Sequence, residues 1–191
     1  MSSPKDSIIT LPNERLRENS RRISVITSEV RAAIDKMKAA TLDWEASRKH
    51  EVGVALAAIQ INEPLRIIVI RNNFDNKQDH RFKVFINPVI TKLEGEIEED
   101  YEGCLSVAEI YGKVPRYSKI RLRALDENGH QVRIKAQGFL ARILQHEVDH
   151  LNGKLFVDHI ANDPGAFYKI TDDGKLEKLP YEKIQQAGIF R

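Results

Sequence analysis

Two stretches of the chain carry apolar residues at the 3.6-residue spacing of an amphipathic helix. A first helix is predicted over residues 27–42, with Thr27 or Ser28 as its N-cap. A second helix, over residues 137–151, has the strongest helical pattern in the sequence. The segment between the first helix and residue 51 is polar and charged, so we interpret it as a connector.

Much of the remaining chain consists of short apolar runs, which predict strands. The predicted strands cover residues 66–71, 83–86, 89–93, 97–101, 119–125 and 131–135. Turns are expected at 126–129 and 172–174, because both segments combine Asp with Gly. No repeat or linker interrupts the pattern, so we predict one α+β domain over residues 1–191, with antiparallel strands around the second helix and a tail at 163–191.

The composition is that of an ordinary globular protein, with 191 residues, 41% hydrophobic, 30% charged and a net charge of +2. No apolar stretch approaches the roughly 20 residues of a membrane span. The first residues lack the apolar core of a signal peptide. Lys and Arg are too scattered to suggest a nucleic-acid groove. We therefore expect a cytoplasmic protein that binds neither membrane nor DNA, with the acidic run at 94–100 as the solvated face of a hairpin.

The second predicted helix contains the pattern H-E-x-x-H at 146–150. Residues four apart lie one above the other on a helix, so His146 and His150 can bind one metal ion while Glu147 reaches a water on that ion. The histidines continue a stripe with Phe139 and Ile143, which we expect to face the core. The alternative is a pair of hydrogen-bonded core histidines, but two buried imidazoles beside a carboxylate are costly without a metal.

Catalytic sites of this type use three protein ligands and a water, and the residues leave the third ligand open. Phe156 stands where metzincin-like proteases have a histidine, and Gly153 is better explained as the end of the helix. Glu177 in the polar tail and His159 on a predicted strand edge are candidates. Cys104, the single cysteine, is a small core residue, a thiol nucleophile or a metal ligand. A thiolate beside two imidazoles suits iron(II) or zinc.

Three segments of the sequence resemble the signatures of the peptide deformylase family. They are GVALAAIQ at 53–60, EGCLS at 102–106 and QHEVDHL at 145–151, in the family's order. The resemblance implies an enzyme that removes the formyl group from the N-terminal formylmethionine of new polypeptides and releases formate. It also implies one divalent metal ion, usually iron(II), with zinc, nickel or cobalt as substitutes.

The resemblance assigns roles to individual residues. The metal ligands would be Cys104, His146 and His150, with Glu147 as the general acid and base. The Gln60 side chain and the backbone N–H of Leu105 would hold the oxyanion that develops on the formyl carbonyl. The substrate-binding positions would be Gly53, Val54, Ala55, Gly103, Phe139 and Ile143. Glu102 and Arg116 are expected to form an ion pair that supports the Cys104 loop.

The partners implied are nascent chains, and we expect a monomer. Some relatives contact the ribosome through a C-terminal segment, but the tail at 163–191 has no strong basic face.

The chain departs from the family pattern at several positions. Ala55 replaces a glycine, Ile59 and Ala108 stand where proline is frequent, and an insertion-like stretch occupies 43–50. We expect the loop at 107–113 to have a different shape as a result. These departures leave two alternatives to a deformylase: a hydrolase of other N-acylated amines, or a non-catalytic homologue that binds N-acylated peptides.

Overall fold

The computed structural model describes residues 3–73 and 75–190, and residues 1, 2, 74 and 191 lie outside it. Its helices are α1 (Ser28–Ala46), α2 (Gly138–His150), α3 (Phe156–His159) and α4 (Tyr181–Gln186). Its strands are β1 (Ala55–Ala57), β2 (Ile67–Arg71), β3 (Phe82–Cys104), β4 (Val107–Leu125), β5 (Gln131–Gln137), β6 (Phe167–Ile170) and β7 (Leu176–Lys178). None of the helices in this described part of the chain is long and apolar enough to cross a membrane.

The strands of the described residues form one antiparallel sheet, which confirms the predicted α+β class. The sheet order is β1-β2-β3-β4-β6-β7. One edge of β4 pairs with β3. The other edge is long enough to pair with two strands. β5 pairs with its C-terminal half and β6 pairs with Tyr111 and Gly112 near its start.

Strand β2 is buried on both faces because helices cover both sides of the sheet at this point. Ile67 and Val69 belong to the core cluster that includes residues of α1. Ile68 and Ile70 belong to the cluster that includes residues of α2. Successive side chains of a strand point to opposite faces, so the continuous apolar run of β2 serves two cores at once. This layering fixes α2 against the sheet.

The three short strands predicted between residues 83 and 101 are one long strand, β3. Asn87, with φ of +53°, precedes Pro88, and the register with β4 shifts between Ile86 and Val89. A second shift surrounds Gly95, which has φ of +78°. Turn-forming residues at β-bulges bend a strand without ending it. The acidic run is solvated in the middle of β3, on the long β3–β4 hairpin, as the prediction of a solvated hairpin face had it.

Helix α1 has Thr27 as its N-cap, and the Thr27 side chain accepts the backbone N–H of Val30. The helix continues to Ala46, four residues beyond the predicted end. Its last turn carries the buried Glu45, whose Oε2 accepts hydrogen bonds from Arg71 Nη1 and from Gly53 N, both at 3.0 Å. This ion pair lies between distant parts of the chain, so local spacing could not predict the extra turn.

Two further segments differ from expectation. The expected loop at 107–113 is the first part of β4, in which Glu109 has φ of +59°. The predicted strand edge around His159 is the helix α3, where the Asp158 side chain accepts the N–H of Leu155 at 2.8 Å. A side-chain oxygen that accepts an N-terminal N–H stabilises a short helix.

The fully buried Leu144 tests the packing of α2 against the sheet. Leu144→Ala should lower the free energy of unfolding by about 2–5 kcal/mol, because it leaves a cavity between α2 and the strands. Chemical denaturation measures this loss. Leu93→Ala, at a leucine that is 46% exposed on β3, is the matched control. Similar losses in both variants would contradict this view of the core.

Candidate active site

The two histidines of α2 lie on one face of the helix and converge on the cysteine. His146 Nε2 and His150 Nε2 are 3.2 Å apart. Cys104, the last residue of β3 at the tight β3–β4 connection, places its Sγ 3.2 Å from His150 Nε2. One ligand atom from each residue lies within 4.8 Å of the others. A sulfur and two nitrogens at this spacing could together hold one metal ion.

The other candidates for a third ligand have different partners. His159 Nε2 lies 2.7 Å from Asp149 Oδ2 and 3.3 Å from Arg116 Nη1. Glu177 lies on β7 and pairs with Lys169 at 3.2 Å. Phe156 stacks on the His146 ring, with centroids 6.1 Å apart. The geometry therefore favours Cys104 among the candidates that the sequence left open.

The expected ion pair between Glu102 and Arg116 is present and belongs to a larger buried network. Glu102 accepts hydrogen bonds from Arg116 Nε at 2.9 Å, from Arg142 Nη1 at 2.8 Å and from His146 Nδ1 at 2.8 Å. Arg116 also contacts Asp149. Two guanidinium groups and two carboxylates balance their charges. Because His146 Nδ1 is hydrogen-bonded to Glu102, the other ring nitrogen, Nε2, faces Cys104 and His150.

The environment of this network shifts the pKa values of the two histidines in opposite directions. Burial disfavours the charged Glu102 carboxylate, but hydrogen bonds from His146 and Arg116 outweigh burial and hold the pKa of Glu102 well below its usual range. Burial likewise opposes a charged His146, yet hydrogen bonds to Cys104 and Glu102 raise its pKa. Burial, reinforced by His146, lowers the pKa of His150. A metal ion needs neutral imidazoles, so metal binding would oppose the raised pKa of His146.

Glu147 is buried beside the three candidate ligands. Its Oε2 has no hydrogen-bond partner among the described residues. Burial raises the pKa of Glu147 to about 7, with a smaller contribution from the charge of Glu102 and an opposing one from His146. An unpartnered buried carboxyl group with a pKa near neutrality can exchange a proton with a neighbouring water. This arrangement fits a metal ion with one open, water-accessible position.

Gln60 lies in the 3₁₀ turn Ala58–Ile61 that follows β1, and its amide points at the cysteine. Its Oε1 accepts the N–H of Ala57 at 2.8 Å, which fixes the side chain. Its Nε2 donates to Ser106 Oγ at 3.1 Å and lies 3.5 Å from Cys104 Sγ. Leu105 lines the cavity that opens in front of these residues. An amide donor is thus held beside the candidate metal ligands.

A cavity of about 420 Å³ opens in front of these groups. Four of the predicted substrate-binding positions line it, namely Val54, Ala55, Gly103 and Ile143. Gly53 is buried behind this wall, where an added Cβ would lie 2.7 Å from the carbonyl oxygen of Thr41. Position 53 therefore needs a glycine so that the chain can pack closely against α1.

Phe139 also lines the cavity, but it is 47% exposed. The prediction that it faces the core with Ile143 was wrong. Phe139 lies in the first turn of α2, at the solvent side of the cavity. The histidines lie farther along the helix, where the sheet and α3 cover it.

Comparison with known proteins agrees with this geometry. The family model described as polypeptide deformylase matches residues 5–164. A peptide deformylase of Rhodopseudomonas palustris (strain TIE-1) is 43% identical over 157 residues, which cover 81% of this chain and 85% of that protein. The chain belongs to the peptide deformylase family. The family removes N-terminal formyl groups and depends on a metal, which agrees with the Cys104, His146 and His150 cluster.

Solved structures of the family have the same fold. A peptide deformylase from Synechococcus elongatus in complex with actinonin is 36% identical, with a TM-score of 0.74, and the match covers 82% of this chain and 80% of that one. A peptide deformylase from Legionella pneumophila is 39% identical, with a TM-score of 0.70 and coverages of 80% and 83%.

Sequence reasoning missed part of the site. Arg142 and Asp149 complete the network around Glu102, and each was visible only as a polar residue on the predicted helix. Trp44, Ile170 and Leu176 line the cavity from segments that had no signal of function. Ala55, which replaces a family glycine, lines the cavity, whereas Ile59 is fully buried.

The position of Glu102 predicts a role in metal affinity. Glu102→Gln should weaken metal binding by about 10- to 100-fold, because the neutral amide orients His146 less firmly. Competition against a chromogenic chelator measures the affinity. Glu99→Gln, at an exposed glutamate of the same strand that pairs with Lys113, is the matched control. Equal affinities for both variants would refute the role assigned to Glu102.

Proposed function

We propose that Cys104, His146 and His150 hold one divalent metal ion, and that the chain uses it to remove the formyl group from N-formylmethionyl peptides. The observation that carries the proposal is the convergence of these donors beside the buried, unpartnered carboxyl of Glu147. Family membership supports the reaction, and the cavity in front of the cluster supports binding of a peptide. The reaction releases formate and a free N-terminal amine.

Iron(II) is the ion we propose, with zinc, nickel or cobalt as substitutes. One thiolate and two imidazoles suit iron(II) and zinc, and three protein ligands leave an open position. When bound, such an ion polarises a carbonyl and lowers the pKa of water. Burial lowers the pKa of His150, which favours the neutral imidazole that a metal ion requires.

Glu147 is the proposed proton carrier. Its carboxylate accepts a proton from the attacking water, and the protonated acid then donates it to the departing amine nitrogen. A pKa raised to about 7 suits both steps near neutral pH. The oxyanion on the formyl carbon accepts hydrogen bonds from Gln60 Nε2 and from the backbone N–H of Leu105.

The peptide is proposed to lie along β1, which is the edge strand of the sheet order. An edge strand can pair with an extended peptide through backbone hydrogen bonds. The methionine side chain fits beside Val54, Phe139, Ile143 and His146, which line the cavity.

We also propose that the enzyme acts as a cytoplasmic monomer on nascent chains, at or after their exit from the ribosome. Residues 1–191 are proposed as one catalytic domain that includes the tail. Phe167 and Ile184 of the tail are buried with Leu16 and Phe156 in a shared core, which supports this division.

Formate release from N-formyl-Met-Ala-Ser by anaerobically prepared, iron-loaded protein tests the function. Glu147→Gln should lower kcat by about 10²–10⁴-fold, because the amide cannot carry the proton. Metal analysis of the same samples should show that the ion stays bound, and Glu96→Gln on the exposed part of β3 is the control. A wild type that is inactive with iron, nickel and cobalt would overturn the proposal.

The role of Gln60 has a separate test. Gln60→Met keeps the side-chain length but removes the donor, so kcat should fall by about 10²–10³-fold, the usual cost of one oxyanion donor. The variant also loses the bond to Ala57 N, so its melting temperature is compared with that of the wild type. Unchanged kcat in a metal-loaded, folded variant would exclude Gln60 as an oxyanion donor.

A further inference from the structure

The outer wall of the cavity comes from two segments outside the recognisable family signatures. The β6–β7 hairpin contributes Ile170, Gly174 and Leu176 to the lining. This hairpin lies beyond residues 5–164, the part of the chain that the family model matches. The insertion-like stretch at 43–50 contributes Trp44 and His50.

The two segments contact each other and so form one wall. His50 Nε2 lies 3.1 Å from the carbonyl oxygen of Asp172, in the hairpin turn. Gly174 packs over the His50 ring, since a Cβ added there would lie 3.3 Å from the ring atoms Cγ and Nδ1. The close approach and the φ of +81° both require glycine at this position. The turn of the hairpin is therefore seated on the end of the inserted segment.

The wall is continuous with the catalytic cavity and is mainly apolar. Trp44, Ile170 and Leu176 line the same cavity as Cys104 and Glu147. Leu176 is 37% exposed, although it is a large apolar side chain on a short edge strand. An exposed leucine that faces a cavity is available to an apolar ligand.

Tyr111 contacts both this wall and the opposite side of the cavity. The hydroxyl of Tyr111 on β4 donates to the carboxylate of Glu51, just after the insertion. The Tyr111 ring also packs against Gly103, where an added Cβ would lie 2.5 Å from the ring. Glu51 places a carboxylate at this end of the cavity, which disfavours an acidic ligand there.

We propose that Trp44, Ile170 and Leu176 form a subsite for apolar side chains of the residues that follow the formylmethionine. The subsite rests on the deformylase function proposed above. When the formyl group of a peptide lies at Cys104, His146 and His150, the rest of the bound peptide runs through the remainder of the same cavity. Each extended residue advances the chain by about 3.3 Å, so the next residues reach the outer wall while the formyl group stays in place. The enzyme thereby prefers formylated chains with apolar second and third residues.

The test compares formyl-Met-Leu-Leu with formyl-Met-Ser-Ser on the iron-loaded full chain. The wild type should have about tenfold higher kcat/KM for the leucine peptide, within the range that apolar contacts supply. Leu176→Ser and Ile170→Ser should each raise KM for the leucine peptide about 5-fold and so reduce the preference for it over the serine peptide. Leu93→Ser, at an exposed leucine of β3 outside the cavity lining, is the matched control.

Outcomes for the subsite and for the function are distinct. A wild type that releases no formate from either peptide overturns the deformylase proposal itself. An active wild type with equal kcat/KM for both peptides overturns the subsite. Equal changes for both peptides in Leu176→Ser indicate a merely structural role of the hairpin and also overturn it. Leu176→Met, which keeps the apolar contact, should restore the preference if the subsite is correct.

Discussion

The rest of the site depends on the hydrogen bonds that the buried carboxylate of Glu102 accepts. It lies two residues before Cys104 and accepts hydrogen bonds from Arg116 on β4 and from Arg142 and His146 on α2. One side chain thus joins the end of β3, its partner strand and the helix that carries the histidines. A buried charge is stable only when it is fully paired, so this network tolerates few other arrangements. The relative positions of Cys104 and His146 follow from it.

The sheet supplies the rigid support for this network. Helices on both faces of β2 bury its side chains in two cores, so α2 cannot shift without disturbing both the sheet and α1. The proton transfer proposed for Glu147 requires its carboxyl and the proposed metal ligands to keep fixed positions. Sites built on packed helices and strands hold such geometry better than sites on loops.

The outer part of the cavity has a different origin. The proposed catalytic groups lie in the residues matched by the family model, whereas Ile170 and Leu176 lie beyond them. The cavity therefore combines residues of the family-matched part with an outer wall to which the tail beyond residue 164 contributes. In such an arrangement, the chemistry and the preference for particular peptides can change independently.

The sequence alone predicted the family and the reaction of this protein, through three segments that resemble peptide deformylase signatures. The i, i+4 histidines with Glu147 were readable from local spacing, because helix geometry is a local property. The roles expected for Cys104 and Gln60 followed from the resemblance to the peptide deformylase family. The first and second helices and the α+β class followed from hydrophobic spacing for the same reason. Long strands interrupted by bulges did not, since Asn87-Pro88 and Gly95 have the local character of turns.

Only the tertiary structure decided how these parts meet. The choice of Cys104 over His159 and Glu177 depended on which side chains converge, and the extra turn of α1 depended on the ion pair of Glu45 with Arg71. The seating of the β6–β7 hairpin on His50 joins residues more than 120 positions apart. Contacts at such separations are set by the packing of the whole chain, and no local pattern of apolar and polar residues encodes them.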